Sequence, residues 1–210
     1  MTTPTTIDTD TNLSAVNSIL GAIGQSPVTE INYQNPELGF IFNILTEVNK
    51  DVQNEGWVFN VEKHVPAPIQ SDKRVKIANN ILRYDTHDDY KYRTKDLVIR
   101  TDPADQQTYL YNTVDHTYEF EEPFELDVVY FWEFTELPSV FQSYIISKAS
   151  VKAATQLVNN SELVQLLQTE EATNRAACVE YDTDQGDYSF MGWPENTSYR
   201  AFQPYKVLQR

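Results

Sequence analysis

The sequence is poor in cysteine and in long apolar runs, and each shortage excludes a class of protein. Cys178 is the only cysteine among 210 residues, so no internal disulfide can form, which favours synthesis in a reducing compartment. No stretch approaches the roughly 18 uncharged apolar residues of a transmembrane helix, so no membrane insertion is expected. Residues 1–11 lack a basic segment followed by an apolar one, so they are interpreted as a flexible leader and not as a signal peptide.

Basic residues are also scarce. Lys and Arg number 16 against 31 Asp and Glu, which gives a net charge of −15. Tight binding of nucleic-acid phosphates needs clustered Lys and Arg, so this class of function is disfavoured. The acidic excess either keeps the protein soluble, or it lines a passage whose walls repel DNA and let a duplex slide without binding.

Few residue combinations in the chain could bind a metal ion. The three histidines are His64, His87 and His116. One of them lies in the acidic cluster 85–89, whose spacing fits no helix face and no zinc pattern, so the cluster is interpreted as a charged turn. Segment 182–187 resembles a calcium loop only faintly, because its glycine and its last ligand position are wrong. Cys178 lies in an alanine-rich helical pattern that is typical of a small buried residue.

Motifs of the common enzyme classes are absent as well. The sequence has no nucleophile elbow, no phosphate-binding loop and no dinucleotide fingerprint. It therefore predicts no catalytic residue, no metal site and no cofactor.

A cluster of carboxylates leaves one enzymatic alternative open. It comprises Glu119, Glu121, Glu122, Glu125 and Asp127. Glycosidases need two carboxyl groups about 5–10 Å apart beside stacking aromatics. Aromatic residues do lie nearby, at Tyr118, Phe120, Phe124, Tyr130 and Trp132. Such clusters also arise by chance among many acidic residues, so a carbohydrate-acting hydrolase or binder is the alternative and not the preferred reading.

Two apolar stripes at helical spacing predict the first two helices. The first helix is expected to begin with Asn12 as its cap and to end at Gly24. The second begins with Asn35 as cap and Pro36 in the first turn, where proline loses no hydrogen bond. Gly56 ends it, and the large side chain of the next residue is expected to anchor the bundle.

Alternating apolar and polar residues predict strands between 58 and 137. The longest alternation covers 126–134. Pro138 then opens a third helix, and Ser161 is expected to cap a fourth that runs to about Val179. The last thirty residues are rich in aromatics but have no regular period, so they are interpreted as an arm that docks on a partner.

These patterns together predict an α+β fold. A bundle of about four helices, drawn from 12–57 and 138–180, is expected to carry an inserted antiparallel β domain at 58–137 and an extended C-terminal arm at 181–210. The predicted bundle anchors are Leu45, Trp57, Phe141 and Ile145. The predicted docking residues of the arm are Tyr188, Phe190, Trp193, Tyr199, Phe202 and Tyr205.

Several segments resemble one family of phage proteins. Two of them are A-V-N-S-I-L-G-A-I-G-Q-S-P-V from Ala15 and V-N-K-D-V-Q-N-E-G-W-V-F-N from Val48. The likeness continues through S-Y-I-I-S-K-A-S from Ser143 and S-E-L-V-Q-L-L-Q-T-E-E-A from Ser161. With these segments the chain resembles the tail tubular protein A family of T7-like short-tailed phages, although the central β unit matches only in layout.

The resemblance implies a structural role in the virion tail. It implies an adaptor ring of twelve copies between the portal protein and the tail nozzle, tail tubular protein B, with tail fibres attached near that junction. DNA would pass through the lumen without specific binding, and the C-terminal arm would reach the portal. A third reading, a scaffold that assists assembly and then leaves the particle, remains open.

Overall fold

Along the part of the chain that the structure describes, two α-helices come first, five short strands follow, and two further α-helices come last. The structure is a computed structural model and describes residues 11–32, 34–86, 96–158 and 160–186. The helices are α1 (Asn12–Ala22), α2 (Pro36–Asn54), α3 (Ser139–Ala153) and α4 (Ser161–Gly186). The strands are β1 (Val61–Pro66), β2 (Ile81–Thr86), β3 (Leu97–Thr101), β4 (Thr108–Asn112) and β5 (Glu125–Tyr130). The predicted α+β class is confirmed.

The starts of α1 and α2 follow from capping chemistry. The Asn35 side chain accepts a hydrogen bond from the backbone N–H of Glu37, and Pro36 occupies the first turn, as predicted. At α1 the cap is Thr11 and not Asn12, because the Thr11 hydroxyl accepts from Ser14 N–H. Gly56 follows α2 with φ of 79°, a left-handed conformation that glycine adopts without strain.

Helix α3 is central in the bundle, since it packs against α1, α2 and α4. The four predicted anchors lie in one apolar cluster between these helices. The Trp57 ring meets Phe141 edge-on at 5.0 Å, and its indole N–H donates to the Val52 carbonyl at 2.7 Å. This tryptophan therefore buries its ring without leaving its N–H unpaired. What each anchor contributes to stability stays a prediction.

The strands form two small antiparallel sheets. In the first, β5 lies between β1 and β2, and in the second β3 pairs with β4. The apolar side chains beneath them form a second cluster, comprising Val75, Leu110, Phe120, Phe124, Leu126 and Val128. The alternation at 126–134 predicted a strand up to Phe134, but β5 ends at Tyr130 and Phe134 starts a short 3₁₀ turn.

A buried amide explains why β5 ends early and joins the sheet to the bundle. The Gln53 side chain of α2 accepts from Trp132 N–H and donates to Trp132 C=O, both at 2.8 Å. Asn60 acts similarly, because its side chain donates to the carbonyls of Gln53 and Tyr130. These bonds take the backbone groups that would otherwise continue the ladder, and they fix α2 against the end of β5.

We expect Gln53→Leu to lower the free energy of unfolding by about 2–3 kcal/mol, because it leaves two backbone groups of Trp132 without their partner. Urea denaturation measures the change. Asn54→Leu, at the exposed neighbouring position, is the control and should shift stability by under about 0.5 kcal/mol. Equal effects of the two substitutions would show that the amide does not hold the joint.

The hairpin of α3 and α4 differs from the prediction at two points. A π-helical turn, Ala154–Val158, follows α3, and the cap of α4 is Asn160, whose side chain accepts from the N–H groups of Glu162 and Leu163. Ser161 is the first helical residue and not the cap.

Helix α4 also runs past residue 181, where the arm was predicted to begin. Its C-terminal part makes tertiary contacts one turn before its end, where Tyr181 packs on Phe141 and Asp182 accepts from Val58 N–H at 2.7 Å. These contacts continue the helix to Gly186. The predicted docking residues of the arm, and residues 1–10 of the leader, lie outside the described residues.

Candidate functional site

The described part of the chain contains no group of three or more His, Cys, Asp or Glu side chains placed to hold a metal ion. His87 and the two aspartates after it lie outside the described residues. Asp182 and Asp184 belong to α4, so they do not form a loop around an ion. Among the described helices, none is long and apolar enough to cross a membrane.

The carboxylates of the enzymatic alternative lie along β5 and the loop before it. Glu125 binds the His64 ring at 2.8 Å, and Glu121 binds Lys73 at 3.2 Å. Phe120 and Phe124 pack against each other inside the sheet core, with ring centroids 4.9 Å apart. Two of the aromatics that could have stacked on a sugar are therefore used for packing, whereas Trp132 is 41% exposed.

A cluster of arginine and tyrosine side chains, which the sequence reading missed, stabilises the β3–β4 hairpin. The Arg74 guanidinium lies over the rings of Tyr109 and Tyr118 and binds Asp102 at 2.9 Å. The Tyr109 hydroxyl donates to Asp105 at 2.7 Å, and this bond raises the pKa of the phenol. Cation–π contacts and ion pairs of this kind hold a loop in place.

A second polar network ties α4 to the rest of the bundle. The Arg175 guanidinium binds both carboxylate oxygens of Glu55 at 2.9 and 3.1 Å and donates to the Tyr144 hydroxyl at 2.7 Å. The hydrogen bonds to Glu55 raise the pKa of Arg175. A bidentate ion pair fixes the relative orientation of the two side chains better than a single hydrogen bond does. These interactions make α4 a braced helix along its middle and last turns.

Both networks join segments that are distant in the sequence, and comparison with known families places the chain. The family model described as tail tubular protein matches residues 13–188. The chain belongs to the tail tubular protein family. No curated protein matches it.

Membership defines the function at a coarse level. Tail tubular proteins are structural components of the phage tail, so this chain is a structural protein of the virion tail that assembles with other tail components. The matched span runs from the second residue of α1 through the end of α4 and ends at Tyr188. The other five predicted docking residues of the arm therefore lie beyond the family match as well as outside the described residues.

For a tail tubular protein, the surfaces that contact neighbours are the functional sites. Helix α4 is the most exposed element of the bundle, because only Leu167 and Cys178 are buried along its 26 residues. Leu166 is 71% exposed and Val179 is 48% exposed. These two side chains lie thirteen residues apart on nearly opposite sides of the helix, so they do not form one apolar patch.

The cysteine of this tail tubular protein is a packing residue, as predicted. Cys178 is buried, and its thiol donates to the Val140 carbonyl at 3.4 Å. Burial raises the pKa of the thiol to about 12.

We expect Cys178 to resist maleimide labelling at pH 8 in the folded protein. A shift in pKa from 9.0 to about 12 lowers the thiolate fraction about a thousandfold, and burial blocks access as well. Labelling rates measured with and without 8 M urea check this. Comparable rates in both conditions would mean that the α3–α4 hairpin opens readily or that the thiol is not buried.

Proposed function

We propose that this chain is the adaptor of a short tail, forming a closed ring between the portal protein and the tail nozzle. Family membership supports a tail role, and the resemblance of the opening segments to tail tubular protein A supports this position and a ring of twelve copies. The observation that carries the proposal is the pairing of a braced helical bundle with a sheet that Gln53 and Asn60 fix to it. A ring subunit needs such a fixed joint so that forces pass from the head side to the nozzle side.

Ring formation requires each copy to present two different faces. One face meets the next copy, and rotation closes the circle. A net charge of −15 on each copy opposes assembly, although screening over about 8 Å at physiological salt limits the repulsion. The faces that meet are therefore expected to carry little charge.

The acidic composition suits the wall of a DNA passage. Residues 101–147 contain no Lys or Arg but ten acidic residues: Asp102, Asp105, Asp115, Glu119, Glu121, Glu122, Glu125, Asp127, Glu133 and Glu136. Asp102 is buried against Arg74, but the exposed carboxylates among them would oppose adhesion of phosphates in a narrow lumen, so a duplex would slide without specific binding.

The C-terminal arm is proposed to dock on the portal. Its aromatics, Tyr188, Phe190, Trp193, Tyr199, Phe202 and Tyr205, each bury about 150–250 Å² when they enter a partner surface. The β domain is proposed to face the nozzle and the tail fibres with its outer surface, while its acidic segment lines the passage.

Catalysis plays no part in the proposed role. The chain is proposed to be made in the host cytoplasm and to act by being held between its neighbours, without any bond made or broken. A scaffold that leaves the particle would be absent from purified virions, whereas the adaptor stays in them.

Particles produced without this chain test the proposal. We expect DNA-filled heads that lack nozzle and fibres and that lose their DNA, because nothing joins the portal to the tail. Supplying the chain to such heads should restore nozzle attachment. Complete tails in its absence would overturn the adaptor role.

A further inference from the structure

Trp132 lies exposed at the point where the sheet joins the bundle. Its side chain is 41% exposed, although its backbone N–H and C=O are both held by the buried amide of Gln53. A fixed backbone limits the motion of the indole, so a partner that covers the ring loses little free energy to ordering it. Tryptophan is also among the residues that most often anchor a partner at an interface.

Two exposed carboxylates follow Trp132 at the short 3₁₀ turn. The Glu136 side chain accepts a hydrogen bond from the Glu133 backbone N–H at 3.3 Å, which holds it beside the residue that follows the tryptophan. The adjoining turn of α2 adds one base and one acid, Lys50 and Asp51, so it does not cancel these two negative charges. Trp132, Glu133 and Glu136 are the joint surface.

The last fifteen residues of the sequence carry the opposite charge. Residues 196–210 contain Arg200, Lys206 and Arg210 but no Asp or Glu, whereas residues 1–195 have a net charge of −18, from 13 basic and 31 acidic residues. This segment therefore complements an acidic surface. An arginine over an aromatic ring gains a cation–π contact, for which tryptophan is the best ring. The segment also contains three aromatic residues: Tyr199, Phe202 and Tyr205.

Helix α4 ends close to the joint surface. Asp182 accepts from Val58 N–H at 2.7 Å, and the Asn60 side chain, two residues further on, donates to the Tyr130 carbonyl at 3.0 Å. The helix ends one turn after Asp182. From that end an extended chain reaches residue 200 within about 45 Å, at about 3.3 Å per residue. The basic segment can therefore reach the joint surface of its own molecule.

We propose that residues 196–210 bind the joint surface of their own molecule while the chain is unassembled. The contact goes beyond the adaptor role, because it forms in a single chain. It covers the aromatic residues of the arm, which would otherwise favour association in water. The portal replaces it when the arm docks there, so the contact has to be weak.

Tethering selects the chain's own segment over a second copy. A segment joined by a short linker acts at an effective concentration in the millimolar range. A weak contact is therefore made within one molecule, whereas a second copy at lower concentration leaves the surface empty.

Paired cysteines test the contact in the full-length chain at low concentration. Glu133→Cys is combined in turn with Ser198→Cys, Ala201→Cys and Gln203→Cys, and the oxidised protein is separated without reductant. At least one pair is expected to give a disulfide within one molecule, seen as a monomer of higher mobility. Buried Cys178 is not expected to take part.

Glu162→Cys, combined with the same three changes, is the matched control. Glu162 is also an exposed glutamate, at the other end of α4. It lies about 36 Å from the end of that helix, at 1.5 Å per residue, so the segment can reach it as well. Trapping is expected to be much weaker there, because reach alone does not hold the segment.

Tryptic cleavage after Arg200 and Lys206 provides a second, independent measurement. Trp132→Ala is expected to raise the rate of this cleavage about threefold, since the segment then spends less time bound. Phe40→Ala is the control, because Phe40 is a similarly exposed aromatic at 38% and lies outside the joint surface. It should leave the rate unchanged.

Three results would overturn the inference. Disulfides that form only between molecules would assign the segment to a second copy. Equal trapping at Glu133 and Glu162 would show that the segment has no preferred site. An unchanged cleavage rate in Trp132→Ala would show that the indole does not hold it. None of these results bears on the adaptor role, which particles produced without this chain test separately.

Discussion

Trp57→Ala is expected to lower the free energy of unfolding by about 3–5 kcal/mol, which is about 10 °C in melting temperature for a chain of this size. The substitution removes a ring that is only 7% exposed and that meets Phe141 edge-on. It also removes the indole N–H, which leaves the Val52 carbonyl without its bond. The loss is large because the cavity would lie where α2, α3 and the start of β1 converge. Thermal unfolding followed by circular dichroism measures it.

Trp132→Ala is the matched control. Its side chain is 41% exposed, and its contribution to the joint is made by backbone atoms that the substitution keeps. The melting temperature is expected to change by under about 2 °C. If the Trp57→Ala variant has the same melting temperature as the parent protein, the ring does not anchor the bundle.

Deleting residues 188–210 is expected to leave the fold intact and to abolish portal binding. The elements from α1 to α4 end at Gly186, so the deletion removes no described contact of the bundle or the sheets. Burial of one large apolar side chain contributes about 1.5–3 kcal/mol to the binding free energy. If two of the six arm aromatics are anchors, their deletion therefore lowers affinity for the portal at least about a hundredfold. A pull-down with purified portal measures the binding, and circular dichroism measures the fold.

A control for the arm keeps its length and changes only polar residues. Asn196→Ala with Ser198→Ala should bind portal like the parent, whereas Phe202→Ala with Tyr205→Ala should bind more weakly. Undiminished binding by the deletion variant would assign the portal contact to another surface.

Local chemistry made the bundle predictable. Asn35 and Pro36 are consecutive residues that together mark a helix start. The anchor positions recur at helical spacing, so the information lies in neighbouring residues. The same holds for the burial of Cys178.

Long-range contacts made other features unpredictable. The strand at β5 ends because Gln53, 79 residues earlier, binds the backbone of Trp132. Helix α4 continues beyond its apparent stop because Asp182 reaches Val58, 124 residues away. No pattern in the neighbouring residues predicts where β5 or α4 ends.

Site assignment from sequence had the same limit. The Glu and Asp residues near β5 are a cluster that the sequence displays, but ion pairs such as that of Glu125 with His64 come from strand pairing that it does not display. The Arg74 cluster was missed for the same reason, because its partners lie 28 or more residues further along the chain.

Averaged electron cryomicroscopy images of purified tails, viewed along the tail axis, test the central claim most directly. The account predicts a closed ring of identical copies between portal and nozzle, with the helical bundle in the ring wall and twelve copies in each tail. A tail in which this chain is present as a single copy, or lies away from the portal–nozzle junction, would contradict it.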